Sequence, residues 1–200
     1  MIATTDIARL KVSLKHVEPA VVRCIEVPLR IRLDRLHLVL QAAVGWTNSH
    51  LWELRARDVG WGIPNPGWDD GPLDASKATL LAVIEDTGVK RLTYIYDFGD
   101  GWEHTIKLER IDAARPGEFY PRLIDAAGRC PPEDIGGPPG YAEFLEAIAD
   151  PQHERHAELR ERYDEDFDPN VVDVPAIEQH LANLAKHWSR SKPKRRPKAA

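Results

Sequence analysis

The chain has 200 residues, of which 42% are hydrophobic and 30% charged, the make-up of an ordinary soluble globular protein able to bury a sound core without cross-links. No apolar run approaches the roughly 20 residues of a bilayer-spanning helix, and residues 1–10 lack the apolar core of a signal peptide. A cytoplasmic protein without a membrane partner is therefore expected. Cys24 and Cys130 lie far apart with no CxxC spacing, which argues for reduced, half-buried thiols and against a disulfide framework or zinc knuckle. The formal net charge of -5 conceals an asymmetry, because Lys186, Arg190, Lys192, Lys194, Arg195, Arg196 and Lys198 are met by no acidic residue between 186 and 200. An acidic body precedes a basic tail.

In chain order, Leu10, Val12 and Leu14 alternate with Lys11, Ser13 and Lys15, which predicts a half-buried strand up to Val17. Glu18-Pro19-Ala20 turns it, and Val21 to Val27 returns beside it. Asp34 is placed to cap a helix whose apolar face is Leu36, Val39, Leu40 and Ala43 and which Gly45 ends. Leu51 to Arg57 predicts a third strand. From Asp58 to Asp74, Gly, Pro, Trp and Asp dominate without a period, so a long surface loop pinned by Trp61 and Trp68 is expected. A short helix over Thr79 to Asp86 precedes two β-rich runs, Arg91 to Tyr96 and Trp102 to Glu109, joined by a Phe98-Gly99-Asp100-Gly101 turn, the pattern of a β-hairpin.

After Glu109 the chain reads as irregular through the Pro/Gly-rich segment Cys130 to Gly140, whose backbone is shaped by locked and permissive φ angles. Tyr141, Phe144, Leu145 and Ile148 then have helical spacing, stopped by Asp150-Pro151. A charged helix (Gln152 to Tyr163), an acidic link (Asp164 to Asp168) and an amphipathic helix (Val174 to Ser189) follow. Residues 190–200 carry nothing large and apolar and are expected to be disordered when unbound. There is no internal repeat. These elements predict one α+β domain over residues 1–189, with a mostly antiparallel sheet of about five strands, helices packed on one face and a C-terminal helical segment.

Tyr94-Ile95-Tyr96-Asp97-Phe98-Gly99-Asp100-Gly101-Trp102-Glu103-His104, together with Cys130-Pro131-Pro132-Glu133-Asp134-Ile135-Gly136-Gly137 and Gly140-Tyr141, resembles the plasmid Ri (pRiA4b) open-reading-frame-three-like family, members of which are also labelled insertion-element passenger proteins (TnpR). The resemblance runs from about Leu10 to about Leu181, includes Trp46-Thr47-Asn48-Ser49-His50-Leu51, and departs from the family at Val22-Arg23-Cys24, where a Trp-Arg-Arg is usual. It implies an α+β domain and a mobile-element context, and no demonstrated activity.

Asp97, Asp100, Glu103 and His104 crowd one sheet end, and alternation sets Trp102 and His104 on one strand face and Glu103 and Thr105 on the other. His104 could meet Asp97 as a general base or metal ligand, or be a half-buried histidine bonded to a neighbour. Glu133 and Asp134, held in a stiff frame, could ligate a divalent metal with Asp97 or Asp100, or satisfy loop amides. His50 joins the hairpin only if the sheet brings the strand ends together, and is otherwise a solvent-side loop histidine. No phosphate loop, GxSxG elbow, HExxH or recombinase signature is present.

These residues predict a cleft where the hairpin turn meets the Pro-Pro-Glu-Asp loop, with Tyr94, Tyr96, Asp97, Asp100, Trp102, Glu103, His104, Glu133, Asp134 and Tyr141 as its ligand-binding residues. The reading favours a mobile-element-associated binding or adaptor module for a protein, peptide or small ligand, the carboxylates preferring a cationic or metal-bridged partner. One alternative is a metal-assisted hydrolase or nuclease using Asp97, His104 and Glu133. The other is a DNA-associated accessory protein whose Arg190, Lys192, Lys194, Arg195, Arg196 and Lys198 contact phosphates.

Overall fold

The computed structural model describes residues 6–64, 67, 71–163 and 166–190. The order of elements is β1 (Asp6–Leu14), β2 (Val22–Pro28), α1 (Leu33–Val44), β3 (Trp52–Ala56), β4 (Val59–Gly62), β5 (Leu73–Asp74), α2 (Leu80–Thr87), β6 (Arg91–Tyr96), β7 (Trp102–Ala113), β8 (Arg122–Ala127), α3 (Gly137–Ala149), α4 (His156–Arg162) and α5 (Val174–Arg190). The strands form one sheet in the order β5-β4-β3-β6-β7-β1-β2-β8, antiparallel throughout except for the short parallel pair β4 and β5.

Among the described residues the sheet thus has eight strands where about five were expected, and it is mixed. The additional strands come from two stretches read as irregular. Val59-Gly60-Trp61-Gly62 hides its period because two of four residues are glycine, yet the glycines are what the pairing needs: a Cβ at Gly60 would strike the Glu53 carboxylate, and one at Gly62 would come within 2.8 Å of the Trp52 carbonyl. Trp61 is buried in this strand, while Trp68 lies outside the described residues. Arg122 to Ala127 pairs with β2 across a bulge at Cys24/Ile25.

One face of the sheet is the core. Leu10, Val12 and Leu14 of β1, Leu92, Tyr94 and Tyr96 of β6, and Trp102, His104, Ile106 and Leu108 of β7 all point inward and are buried. Register carries one row from Leu14 through His104 and Tyr94 to Leu54. The alternating residues Lys11, Thr93, Glu103, Thr105 and Lys107 lie half-buried or exposed on the other face. α1 presents Leu36, Val39, Leu40 and Ala43 to this core, and α5 packs along α1.

α1 is capped two residues earlier than expected, at Arg32 and not Asp34, because Arg32 is held by a bridge to Thr79. Asp34 sits in the first turn, accepting from the Arg35 amide at 2.9 Å and pairing with Arg32 at 2.6 Å. Gly45 ends the helix at φ 90°. The charged helix expected from Gln152 starts only at His156, since the Asp150 carboxylate and His153 Nδ1 accept from the Gln152 and Arg155 amides and hold tight turns there. α5 runs to Arg190, and Lys192, Lys194, Arg195, Arg196 and Lys198 lie outside the described residues. Among the described residues, no helix is long and apolar enough to cross a membrane.

Candidate functional site

The hairpin turn and the Pro-Pro-Glu-Asp loop meet. Asp97 takes the left-handed φ of 54°, with its Oδ1 accepting from the Gly99 amide at 3.0 Å, and Gly101 at φ 68° closes the turn. The Asp100 carboxylate accepts from the Gly136 amide at 3.2 Å. Gly137, at φ 69°, lies so close that a Cβ there would strike the Asp100 carbonyl. This approach requires glycine for both reasons.

A third segment completes the joint. Residues 46–50 leave the αL end of α1 and are fixed at every step: Trp46 Nε1 donates to the Pro131 carbonyl at 2.9 Å, the Asn48 amide to Gln41 Oε1 at 2.9 Å, and the Ser49 amide to the Tyr96 hydroxyl at 3.0 Å. Glu133 gathers the Thr47 amide (2.9 Å), the Thr47 hydroxyl (2.5 Å), the Ser49 hydroxyl (3.1 Å) and the Tyr96 hydroxyl (2.5 Å). Burial alone would raise its carboxyl pKa, but these donors outweigh it and hold the group below the usual carboxylate range.

Beneath lies a buried polar chain. His37 Nε2 meets Asn48 Oδ1 at 2.5 Å and Nδ1 meets the Tyr94 hydroxyl at 2.9 Å, while Gln41 Nε2 donates to that hydroxyl at 2.9 Å. The directions agree if neutral His37 carries its proton on Nε2 and accepts from Tyr94, as desolvation, which lowers its pKa to about 4, requires.

At the rim, β3 pairs with β6 so that the Asp97 amide bonds the Leu51 carbonyl at 2.9 Å, which brings His50 beside the turn. His50 Nδ1 lies 3.6 Å from Asp97 Oδ2, and Nε2 lies 3.1 Å from Asp134 Oδ1. The second contact is off hydrogen-bond alignment, which leaves Nε2 buried without a hydrogen-bond partner. One nitrogen and one oxygen from each carboxylate lie within 4.8 Å of one another, and no other group of three such residues does so among the described residues. Asp134 is 65% exposed, so the rim is open.

The expected residues divide accordingly. Asp97, Asp100, Glu133 and Asp134 come together at the joint. Asp97, His104 and Glu133 do not form a metal set, because Glu133 is committed to Thr47, Ser49 and Tyr96, and His104 points into the core. There it packs against Trp46 and Tyr94 at ring distances of 5.4 and 5.3 Å, with neither nitrogen hydrogen-bonded and its pKa lowered by desolvation to about 4. Tyr94, Tyr96, Trp102 and Tyr141 are each at most 1% exposed, so their rings are core beneath the loops, not walls of an accessible cleft. Tyr141 packs on Phe144 and Phe167, and burial pushes its hydroxyl up to about 12. Glu103 stands on the opposite face, paired with Lys15 at 2.5 Å.

Thr47 and Ser49 were not expected at this joint, although the polar run behind the Gly45 stop was a visible signal, whereas His50, expected at the hairpin only if the strand ends meet, is brought there by the β3–β6 pairing. Both cysteines are free; Cys130 is buried, and desolvation pushes its thiol up to about 12, which makes it a poor ligand or nucleophile at neutral pH.

This architecture has relatives. The chain is 54% identical over 186 residues to the uncharacterized protein y4hQ of Sinorhizobium fredii, covering 92% of this chain and 95% of that one. It superposes with a TM-score of 0.79 and 30% identity on the crystal structure of a protein of unknown function, MM3350, from Methanosarcina mazei Go1, covering 86% of this chain and 98% of that one. The family description "Plasmid pRiA4b ORF-3-like protein" matches residues 6–176, and the chain belongs to that family.

Proposed function

We propose that this protein is a cytoplasmic binding module that holds a divalent transition-metal ion between His50, Asp97 and Asp134 and uses the ion's open positions to take an anionic or metal-bridged partner. The observation that carries this reading is the His50 imidazole lying between two carboxylates at an exposed rim, with the three ligating atoms within 4.8 Å. Modest side-chain rotations would set them around one ion. A mixed imidazole and carboxylate set suits Zn²⁺ or Mn²⁺ better than Ca²⁺. Three protein ligands leave room for a fourth from elsewhere. A lysine or arginine from a partner would be drawn by the carboxylates but not by the histidine, which favours a metal over a cationic side chain.

The test is thermal denaturation with and without Zn²⁺ or Mn²⁺. An ion at about 100 times its Kd contributes about 2.7 kcal/mol of stability. The wild type should gain that stabilisation and His50→Ala and Asp134→Ala should lose it, whereas equal gains in all three would refute the site.

The same open ion would also suit metal-assisted hydrolysis. That second reading predicts metal-dependent turnover of a phosphodiester that Asp97→Asn abolishes. A mobile-element association and the passenger-protein (TnpR) label rest on the resemblance alone. A nucleic-acid role for Arg190 to Lys198 rests on charge, and a salt-sensitive DNA shift lost on deleting residues 190–200 would support it.

A further inference from the structure

On the other side of the Cys130 to Glu133 strap, a pocket of about 380 Å³ opens between the end of α1, the strap, Phe167 and the first turns of α5. At its wall stands Arg23 of β2, only 2% exposed. Its Nε donates to the Ala43 carbonyl at 2.7 Å, and its Nη1 serves the carbonyls of Val22, Ala127 and Gly128 at 2.8, 2.9 and 2.9 Å. This guanidinium ties the end of α1 to β2 and to the end of β8. Its remaining nitrogen, Nη2, has no hydrogen-bond partner among the described residues and is not sealed away from the pocket.

The charge is equally one-sided. No carboxylate of the described residues forms an ion pair with Arg23. Its hydrogen-bond partners are carbonyl dipoles, and desolvation lowers its pKa against a smaller opposing effect of Cys130. A buried charge is ordinarily paired, because an isolated one costs several kcal/mol. A guanidinium with one edge unpartnered in a pocket of ligand size lacks an anion among the described residues.

The walls specify which anion. Among the described residues two acids line the pocket, but Glu133 is turned to Thr47, Ser49 and Tyr96, and Asp173 accepts from the Ala176 amide at 3.0 Å at the start of α5. Their charges oppose a multiply charged ligand while leaving Arg23 unpaired. The rest of the lining mixes apolar surface from Trp46, Phe167, Val172 and Ile177 with the polar Tyr163 and His180, and the Arg129 guanidinium lies over the Phe167 ring at 4.4 Å. We infer that this pocket binds a small organic monocarboxylate, its carboxylate on Arg23 Nη2 and its apolar body against Trp46, Phe167 and Ile177.

This site is separate from the proposed metal site, so the test is run on the full chain in EDTA. Phenylacetate is the probe, phenylacetamide its neutral counterpart and inorganic phosphate the polar anion, each titrated while ligand-detected NMR and calorimetry follow binding. Arg23→Gln can destabilise the fold by stranding carbonyls, so the deciding variant is Ala176→Phe, which fills the pocket from the half-buried face of α5 and leaves Arg23 intact. Phenylacetate should saturate the wild type with a Kd on the order of 1 mM or tighter, at least about tenfold tighter than phenylacetamide, and should fail to bind Ala176→Phe of unchanged melting temperature. Equal binding of acid and amide, binding that survives Ala176→Phe, phosphate binding as tight as phenylacetate, or no binding of phenylacetate at about 10 mM would each overturn the assignment.

Discussion

Replacing Glu133 by alanine tests the joint on which the rim depends. One carboxylate accepts from the Thr47 amide and from the hydroxyls of Thr47, Ser49 and Tyr96, so it clamps residues 47–49 to the Cys130–Gly140 segment and to the end of β6. Thr47 and Ser49 are exposed and can turn to water, so their loss counts for little. The Tyr96 hydroxyl belongs to a side chain that is 0% exposed, and stranding its donor costs about 1–3 kcal/mol. With a remainder for the backbone amide, Glu133→Ala should lose about 2–4 kcal/mol, read as a shift in the urea midpoint without a large change in slope. Glu133→Gln, which keeps shape and loses charge, should lose about half as much. A double-mutant cycle with Tyr96→Phe should return a coupling of about 1–2 kcal/mol. The clamp's contribution is present above the carboxyl's unfolded pKa and lost as pH falls through its lowered folded value. Glu133→Ala within about 0.5 kcal/mol of the wild type would refute the clamp.

Other outcomes follow from the same structure. His37 and His104 are buried neutral with pKa lowered from 6.5 to about 4, so the unfolded chain binds the extra protons; stability should be full above about pH 6.5 and fall toward pH 4 by about 3 kcal/mol for each, and His104→Leu should remove about one proton from that slope in denaturation series. Gly137→Ala places a Cβ against the Asp100 carbonyl at a left-handed φ, and should cost about 2–4 kcal/mol by thermal melt and weaken metal binding with it; a melt equal to the wild type would show that the turn and the loop can part freely.

The helical stripes and the hairpin were legible because one periodicity dominates each: Leu36, Val39, Leu40 and Ala43 on α1, and Leu92, Tyr94 and Tyr96 against Trp102, His104 and Ile106. The β3–β4 hairpin was not, because two of the four residues of β4 are glycines whose need is set by cross-strand neighbours, the Glu53 side chain and the Trp52 carbonyl, and so they carry no alternating period of their own. The site was half legible. Charge density marked Asp97, Asp100, Glu133 and Asp134, but the choice of histidine turned on the strand register that sets Trp52 opposite Tyr96 and carries His50 to the turn. The same alternation that gave Trp102 and His104 a common face made that face the core, so aromatic residues that looked like ligand contacts are packing. Arg23 stood in sequence as the remnant of a family motif, and only the end of α1 and the end of β8 meeting around it give its guanidinium a setting.

The most direct measurement is a crystal grown or soaked with Zn²⁺ or Mn²⁺ and measured across that metal's absorption edge, alongside His50→Ala under the same conditions. An anomalous peak bounded by one His50 nitrogen and oxygens of Asp97 and Asp134 at about 2.0–2.2 Å, absent from His50→Ala, is the predicted result. Density at that point without an anomalous signal, or a peak that stays when His50 is gone, would contradict it.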